Sequence, residues 1–302
     1  MSRVPLAAPA HVDEAARSRE DRRRAAGMLS DIVDAHTHLF PDPIYRALER
    51  WFDKHAWSIR FRAGADEVVQ ELARAGASRV VALVYAHKPG MAEALNGYLS
   101  QLCKRTPAVI GVGTVLPGEP DARRVVRDAI TVHRLRGIKL HCHVMGMAID
   151  DPRVLEVLAE CEQLRVPAVV HCGRAPAAEG YPVATATICS AARTERVLRA
   201  LPQLRLVVPH VGMDETDQYL ALLDAHEHLH LDTAMACAEY FDAPIEWAAI
   251  ERHADRILFG SDFPIVPYES GRELGVLARR IVSDAAFRRI TRDNARAFWA
   301  ID

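Results

Sequence analysis

The chain predicts a (β/α)8 barrel of the α/β class with a polar N-terminal extension, and three observations carry that prediction. Short β-branched runs alternate with amphipathic helical stretches after residue 30, the pattern of a parallel sheet with right-handed crossovers. The length, 302 residues, suits one closed barrel. The first run ends in His-Thr-His-Leu-Phe-Pro, not in the glycine-rich phosphate loop that opens many doubly wound sheets.

Eight strands are expected, at 31–37, 80–86, 109–115, 137–142, 167–172, 205–210, 229–233 and 257–261. Helices are expected between them, at 121–135, 151–164, 190–200, 214–225 and 271–283. In the first of these, Val125, Val126, Ala129 and Ile130 form one apolar face, with Arg123, Arg124 and Arg127 turned mostly to solvent. Asp121 is a candidate N-cap, and Asp151-Pro152 pairs an N-cap with proline at the first helical position. Residues 1–28, with the charged run Ser-Arg-Glu-Asp-Arg-Arg-Arg, read as a helical or disordered extension, and 29–302 as one barrel domain. Residues 39–64, which hold Trp51, Trp57, Arg60 and Arg62, are a candidate cap over the barrel mouth.

Composition narrows the function classes. Hydrophobic residues make up 50% and charged residues 26%, with a formal charge of −2. That balance gives no electrostatic case for nucleic acid or an anionic membrane. Six cysteines without a CxxC pair read as free thiols. No apolar run approaches a membrane span, and the N-terminus lacks a secretory h-region. A cytoplasmic protein acting on a small molecule is the expectation, and self-association is compatible with it.

Five residues of one chemical kind close the strand-like runs: His36 and His38, His171, His210 and Asp262. In barrels of this type the strand ends converge on the site. His36 and His38 are two apart, so both side chains face one side and two imidazoles can chelate one ion. His171 and Asp262 can complete a mixed nitrogen and oxygen set. His210 suits a role beside the ion, stabilising developing negative charge. Asp262 can both hold the ion and accept a proton. Zinc is the first expectation, with manganese or iron compatible.

The fourth strand, Gly-Ile-Lys-Leu-His-Cys-His, leaves alternatives open. Lys139 reads as a carbamylated bridge to a second metal, a cation for a substrate carboxylate, or a buried structural lysine. His141 reads as a substrate contact. Arg174 is a candidate for an anionic substrate group. Tyr85 and His87 end the second strand and are placed at the mouth. Cys142 and Cys172 have the opposite parity and should face the helices as small hydrophobes. His226, His228 and His230 precede or open the seventh strand, at the far end of the barrel, and read as surface residues.

The motifs DAHTHLFP, GIKLHCH, VVHCG, VVPHVGMDE, LDTA and ILFGSDFP together resemble the amidohydrolase superfamily over about residues 31–299. The resemblance is to the branch that includes aminocarboxymuconate-semialdehyde decarboxylase, γ-resorcylate decarboxylase and many metal-dependent hydrolases. It implies that His36, His38, His171 and Asp262 bind one divalent ion, and that His210 handles protons or polarises the substrate. Binuclear members carry a carboxylated lysine or a glutamate on the fourth strand. The branch's decarboxylases often carry a glutamate soon after the sixth-strand histidine. This chain has Val211-Gly212-Met213-Asp214-Glu215 there, a departure that favours hydrolysis over decarboxylation. The expected function is hydrolysis of a small amide, ester or lactone by a metal-activated water. A non-oxidative decarboxylase and a non-catalytic metabolite-binding barrel are the alternatives.

Overall fold

The computed structural model describes residues 14–301. The parallel strands are β1 (Ile32–Thr37), β2 (Ala77–Leu83), β3 (Val109–Thr114), β4 (Ile138–His141), β5 (Ala168–His171), β6 (Leu206–Val208), β7 (Leu229–Asp232) and β8 (Ile257–Leu258). They pair in sequence order. Hydrogen bonds from Ala35 N to Phe259 O (2.8 Å) and from His38 N to Phe263 O (2.9 Å) join the last strand region to the first. The fold is therefore a (β/α)8 barrel.

Period-two alternation sorts the strand residues. Val33, Val81, Leu83, Val112, Val169, Val207 and Leu258 form one buried cluster, the barrel interior. Their neighbours Ile32, Val80, Ala82, Val170 and Leu206 belong to a second cluster between sheet and helices. Phe298 and Trp299, from the helix Asn294–Trp299, close the floor of the interior cluster. At the other end the inward positions become polar, and that switch marks the site.

The helix Ala122–Thr131 buries Val125, Val126 and Ala129 as expected. Asp121 makes no cap there; its carboxylate accepts from Arg124 at 3.2 Å instead. Asp151 does cap the helix Pro152–Gln163, accepting from Arg153 N at 2.9 Å. Two strands end earlier than their apolar runs. Ala86 N donates to the Thr114 hydroxyl (3.0 Å) rather than to a neighbouring strand. Gly260 N and Ser261 N donate to the side chains of Thr233 (3.0 Å) and Asp34 (3.1 Å). Side chains thus take over the ladder at the barrel mouth.

The extension contributes the helix Glu14–Ala25. Its Arg23 donates to the carbonyls of Ala278 and Ile281, both at 2.8 Å, and pairs with Asp284 at 2.9 Å. The expectation for residues 1–13 lies outside the described residues. No helix among the described residues is long and apolar enough to cross a membrane.

Candidate metal and active site

The end of β1 supplies the first two side chains. His38 Nδ1 lies 2.8 Å from the Leu83 carbonyl, which only an N–H can approach. His36 Nδ1 lies 2.8 Å from Asp232 Oδ2, so it donates there. Both outer nitrogens being protonated, the two Nε2 lone pairs point inward when the rings are neutral. They are 3.3 Å apart. Asp262 Oδ1 completes a triangle, 3.1 Å from His36 Nε2 and 3.0 Å from His38 Nε2. Such a triangle can hold a cation, either a metal ion or a proton shared with His36. The edges match the spacing of about 3.3 Å between ligands in a tetrahedral zinc site with bonds of about 2.0–2.1 Å. Burial disfavours charge on His36, but Asp232 and Asp262 overcome it and draw its pKa up to about 9. Burial likewise opposes ionisation of Asp262, yet His36 and His38 hold it well below the usual carboxylate range.

Local backbone explains the approach. Asp262 sits at φ 58°, in the left-handed region that costs a non-glycine residue strain. A side chain on Gly260 would meet His36 Cβ at 2.7 Å, so glycine lets the last strand region close on β1. Asp34, under the site, accepts from His36 N (3.2 Å), Ser261 N (3.1 Å) and Ser261 Oγ (2.5 Å). This carboxylate ties the two segments together. Burial pushes its pKa up to about 7.

Asp232 is the residue that sequence reasoning missed. Besides His36 it accepts from His210 N at 2.9 Å and Ala234 N at 3.2 Å. Burial raises its pKa, and the His36 interactions more than reverse that, leaving it lowered. The signal was present: Asp232 ends β7 on the inward parity, within the motif LDTA.

His210 follows β6 on a run of left-handed residues, with φ 64° at His210 and 50° at Val211. Its Nδ1 lies 3.0 Å from Ala234 O, which fixes the proton of the neutral ring on Nδ1. Burial pushes its pKa down to about 4. His171, at the end of β5, stands with His210: their facing nitrogens, Nδ1 of His171 and Nε2 of His210, are 3.1 Å apart. The close group of possible ligand atoms contains His36, His38 and Asp262, and a second contains His36, His210 and Asp232. His171 belongs to neither, although it lines the same cavity.

Lys139 and His141, on the inward face of β4, also line that cavity. Lys139 is fully buried and its Nζ has no hydrogen-bond partner. Burial lowers its pKa to about 8. The His141 ring stacks on His171 at 4.2 Å, and its Nδ1 is likewise unpartnered. His143 has left the strand for the short helix Cys142–Met145, and its Nε2 lies 2.7 Å from Gly173 O.

The expected cap contributes Phe52 and Trp57 to the roof, beside Tyr181 and Ile265. The enclosed space is about 20 Å³, enough for about one water. Arg60 and Arg62 pair with Glu269 and Asp53 instead. Tyr85 packs edge-on against His38 and His141.

Two expectations need correction. Arg174 does not reach the cavity lining; Asp214 at 3.1 Å and Glu215 at 3.3 Å already hold its guanidinium. His230 is half-buried rather than a fully exposed surface residue. It has the inward parity of Asp232, packs on Phe298 at 4.7 Å, and has its pKa lowered to about 4 by burial. All six cysteines are free. Cys172 turns outward as expected, with Sγ 3.3 Å from the Thr194 hydroxyl on the helix Ala191–Ala200.

Residues 33–301 match the amidohydrolase family model. The chain belongs to that family. No curated protein matches its sequence. Among solved structures, this amidohydrolase is similar to an uncharacterised TIM-barrel protein from Bordetella bronchiseptica, with TM-score 0.68 and 21% identity over 89% of this chain and 99% of the other. It is also similar to 5-carboxyvanillate decarboxylase from Sphingomonas paucimobilis, with TM-score 0.63 and 16% identity over 91% and 100%. A third is a dihydroxybenzoic acid decarboxylase from a Polaromonas species, with bound manganese and 2-nitroresorcinol, at TM-score 0.65 and 13% identity over 90% and 97%. At these identities the likeness establishes the fold, and the site must be argued from its own residues.

Proposed function

We propose that this amidohydrolase is a metal-dependent hydrolase of a small carbonyl compound. The observation that carries the reading is the triangle of inward-facing acceptors on His36, His38 and Asp262, with both outer histidine nitrogens already committed. These three residues would hold one divalent ion, with His171 as the candidate fourth ligand. Zinc suits this donor set, and manganese does too. When bound, such an ion supplies Lewis acidity toward a carbonyl oxygen and lowers the pKa of water.

The chain's own groups supply the rest. Asp262 is held ionised, the state needed to accept a proton. Neutral His210 carries its proton on Nδ1, toward Ala234, so Nε2 is an acceptor. His210 therefore takes a proton first and returns it to a leaving group later, which refines the expected polarising role. Phe52, Trp57 and Tyr181 shield the cavity from water, and a substrate enters only when this roof moves. Lys139, buried and unpartnered in the lining, suits a substrate carboxylate.

That lysine and the aromatic roof also favour a second reading, non-oxidative decarboxylation of a small aromatic acid, the chemistry named for two of the similar structures. The discriminating experiment incubates metal-loaded protein with candidate esters, lactones and aromatic acids in 18O-labelled water. Incorporation of label into product supports hydrolysis; release of CO2 with no label in the organic product overturns it. His210→Ala should abolish turnover with metal content retained.

A further inference from the structure

The opposite end of the barrel carries a recess of about 450 Å³ whose lining holds Arg134, Arg136, Arg165 and Arg205 and, among the described residues, no carboxylate. That volume is in the range of small-molecule sites, roughly 300–1,000 Å³. The four arginines come from the loops that precede β4, β5 and β6, on the face away from His141 and His171. None of the four forms an ion pair among the described residues. Most other arginines on this near-neutral chain do find one, as Arg123 and Arg127 do on Glu160 and Arg193 does on Asp150. Among the described residues, charge has been gathered here without its counter-charge.

The backbone holds two of them at a cost. Arg134 has φ 59° and Arg165 φ 55°. Each follows a helix end closed by a hydrogen bond, Leu135 N to Ala129 O and Val166 N to Cys161 O, both within 3.0 Å. Glycine is the usual residue at that position because it is free of strain there. An arginine interacts favourably with a helix C-terminus, but one placed a residue earlier would do so without that strain. Two successive loops repeat the choice.

The recess is also structured. Arg205 donates to the Phe298 carbonyl and lies with its guanidinium carbon 4.5 Å from the Phe298 ring centroid. Phe298 and Trp299 supply an apolar wall, and the Trp299 indole N–H is buried without a partner. Four guanidinium groups lining one recess beside an aromatic wall, three of them exposed to solvent, match a compact oxyanion with several acceptor oxygens, for which arginine is suited by its bidentate geometry. A concave recess, rather than a stripe, fits a small anion better than a polymer.

We propose that this recess is a binding site for a small phosphate-bearing molecule, at the end of the barrel remote from the candidate active site. The probe is inorganic phosphate, titrated calorimetrically into the metal-loaded full chain at physiological salt. One equivalent should bind at the floor. The variant Arg134→Asn/Arg165→Asn removes two charges with a residue that tolerates left-handed backbone. It should weaken that binding at least tenfold while metal content and turnover stay unchanged. Arg136→Gln, which changes no strained position, should weaken it by a smaller factor and guards against misfolding of the double variant. Equal phosphate binding by the wild type and both variants places the anion at the metal and overturns the proposal. So does the absence of binding to the wild type, or salt-sensitive retention of single-stranded DNA without any response to phosphate.

Discussion

The two walls of the cavity are built differently. On the β1, β7 and β8 side the atoms that orient the inward acceptors have partners: His36 Nδ1 on Asp232, His38 Nδ1 on the Leu83 carbonyl, and Asp232 on two backbone N–H groups as well. On the β4 and β5 side Lys139 Nζ, His141 Nδ1 and His171 Nε2 are buried with none. A buried group left unsatisfied costs about 1–3 kcal/mol. The first wall is finished except at the inward acceptor triangle, which suits an ion that demands fixed geometry. The second has hydrogen-bonding capacity in reserve and suits a polar substrate that completes it.

The largest test breaks the finished wall. Asp262→Asn removes one corner of the acceptor triangle and the proton acceptor together. Metal content should fall well below one equivalent and turnover by on the order of 10³-fold or more; metal analysis with steady-state kinetics checks both. A variant that keeps its metal and rate would end the distinction between the walls. Next, Asp232→Asn leaves the triangle but withdraws the partner that orients His36. Metal affinity should weaken by about 10–100-fold, the usual effect of such an outer partner, measurable by competition with a chelator.

Lys139→Met tests the open wall. Removing an unpartnered buried amine should raise stability by about 1–2 kcal/mol in thermal unfolding. The same change should raise KM about tenfold, or about 1.4 kcal/mol, for carboxylate substrates. Neutral analogues should be unaffected. A loss of stability would mean that Lys139 is structural.

The smallest effect concerns the support behind the finished wall. Glu273 is buried, with its carboxyl bonded to the Tyr268 hydroxyl, and burial raises its pKa to about 8. Above its ordinary value of 4.5 the unfolded chain releases this proton while the folded chain keeps it. Stability should therefore fall as pH rises from about 4.5 through about 8. Glu273→Gln should flatten that slope and gain on the order of 1 kcal/mol at pH 8, read from denaturant curves across pH.

The strands and their meeting point were legible because period-two alternation and strand-end position are local properties. That is why His36, His38, His210 and Asp262 were found together. Asp232 was passed over because it acts through His36 and the His210 backbone, and a supporting residue carries no signature of its own. Arg174 was misjudged for a related reason: its partners Asp214 and Glu215 lie in another loop, and only the folded chain shows them adjacent. His230 needed the terminal helix in place, since Phe298 is what covers it.

The hydrogen bonds that join Ala35 and His38 to Phe259 and Phe263 put His36 and Asp262 side by side, although they stand near the two ends of the barrel sequence. A ribosome that has made seven strands has made no such site. Chains cut short or stalled before β8 hold His36 and His38 without Asp262, and so bind an ion loosely at best. An ion held by this triangle would bridge both ends of the barrel sequence and act as a clasp across the seam where they meet.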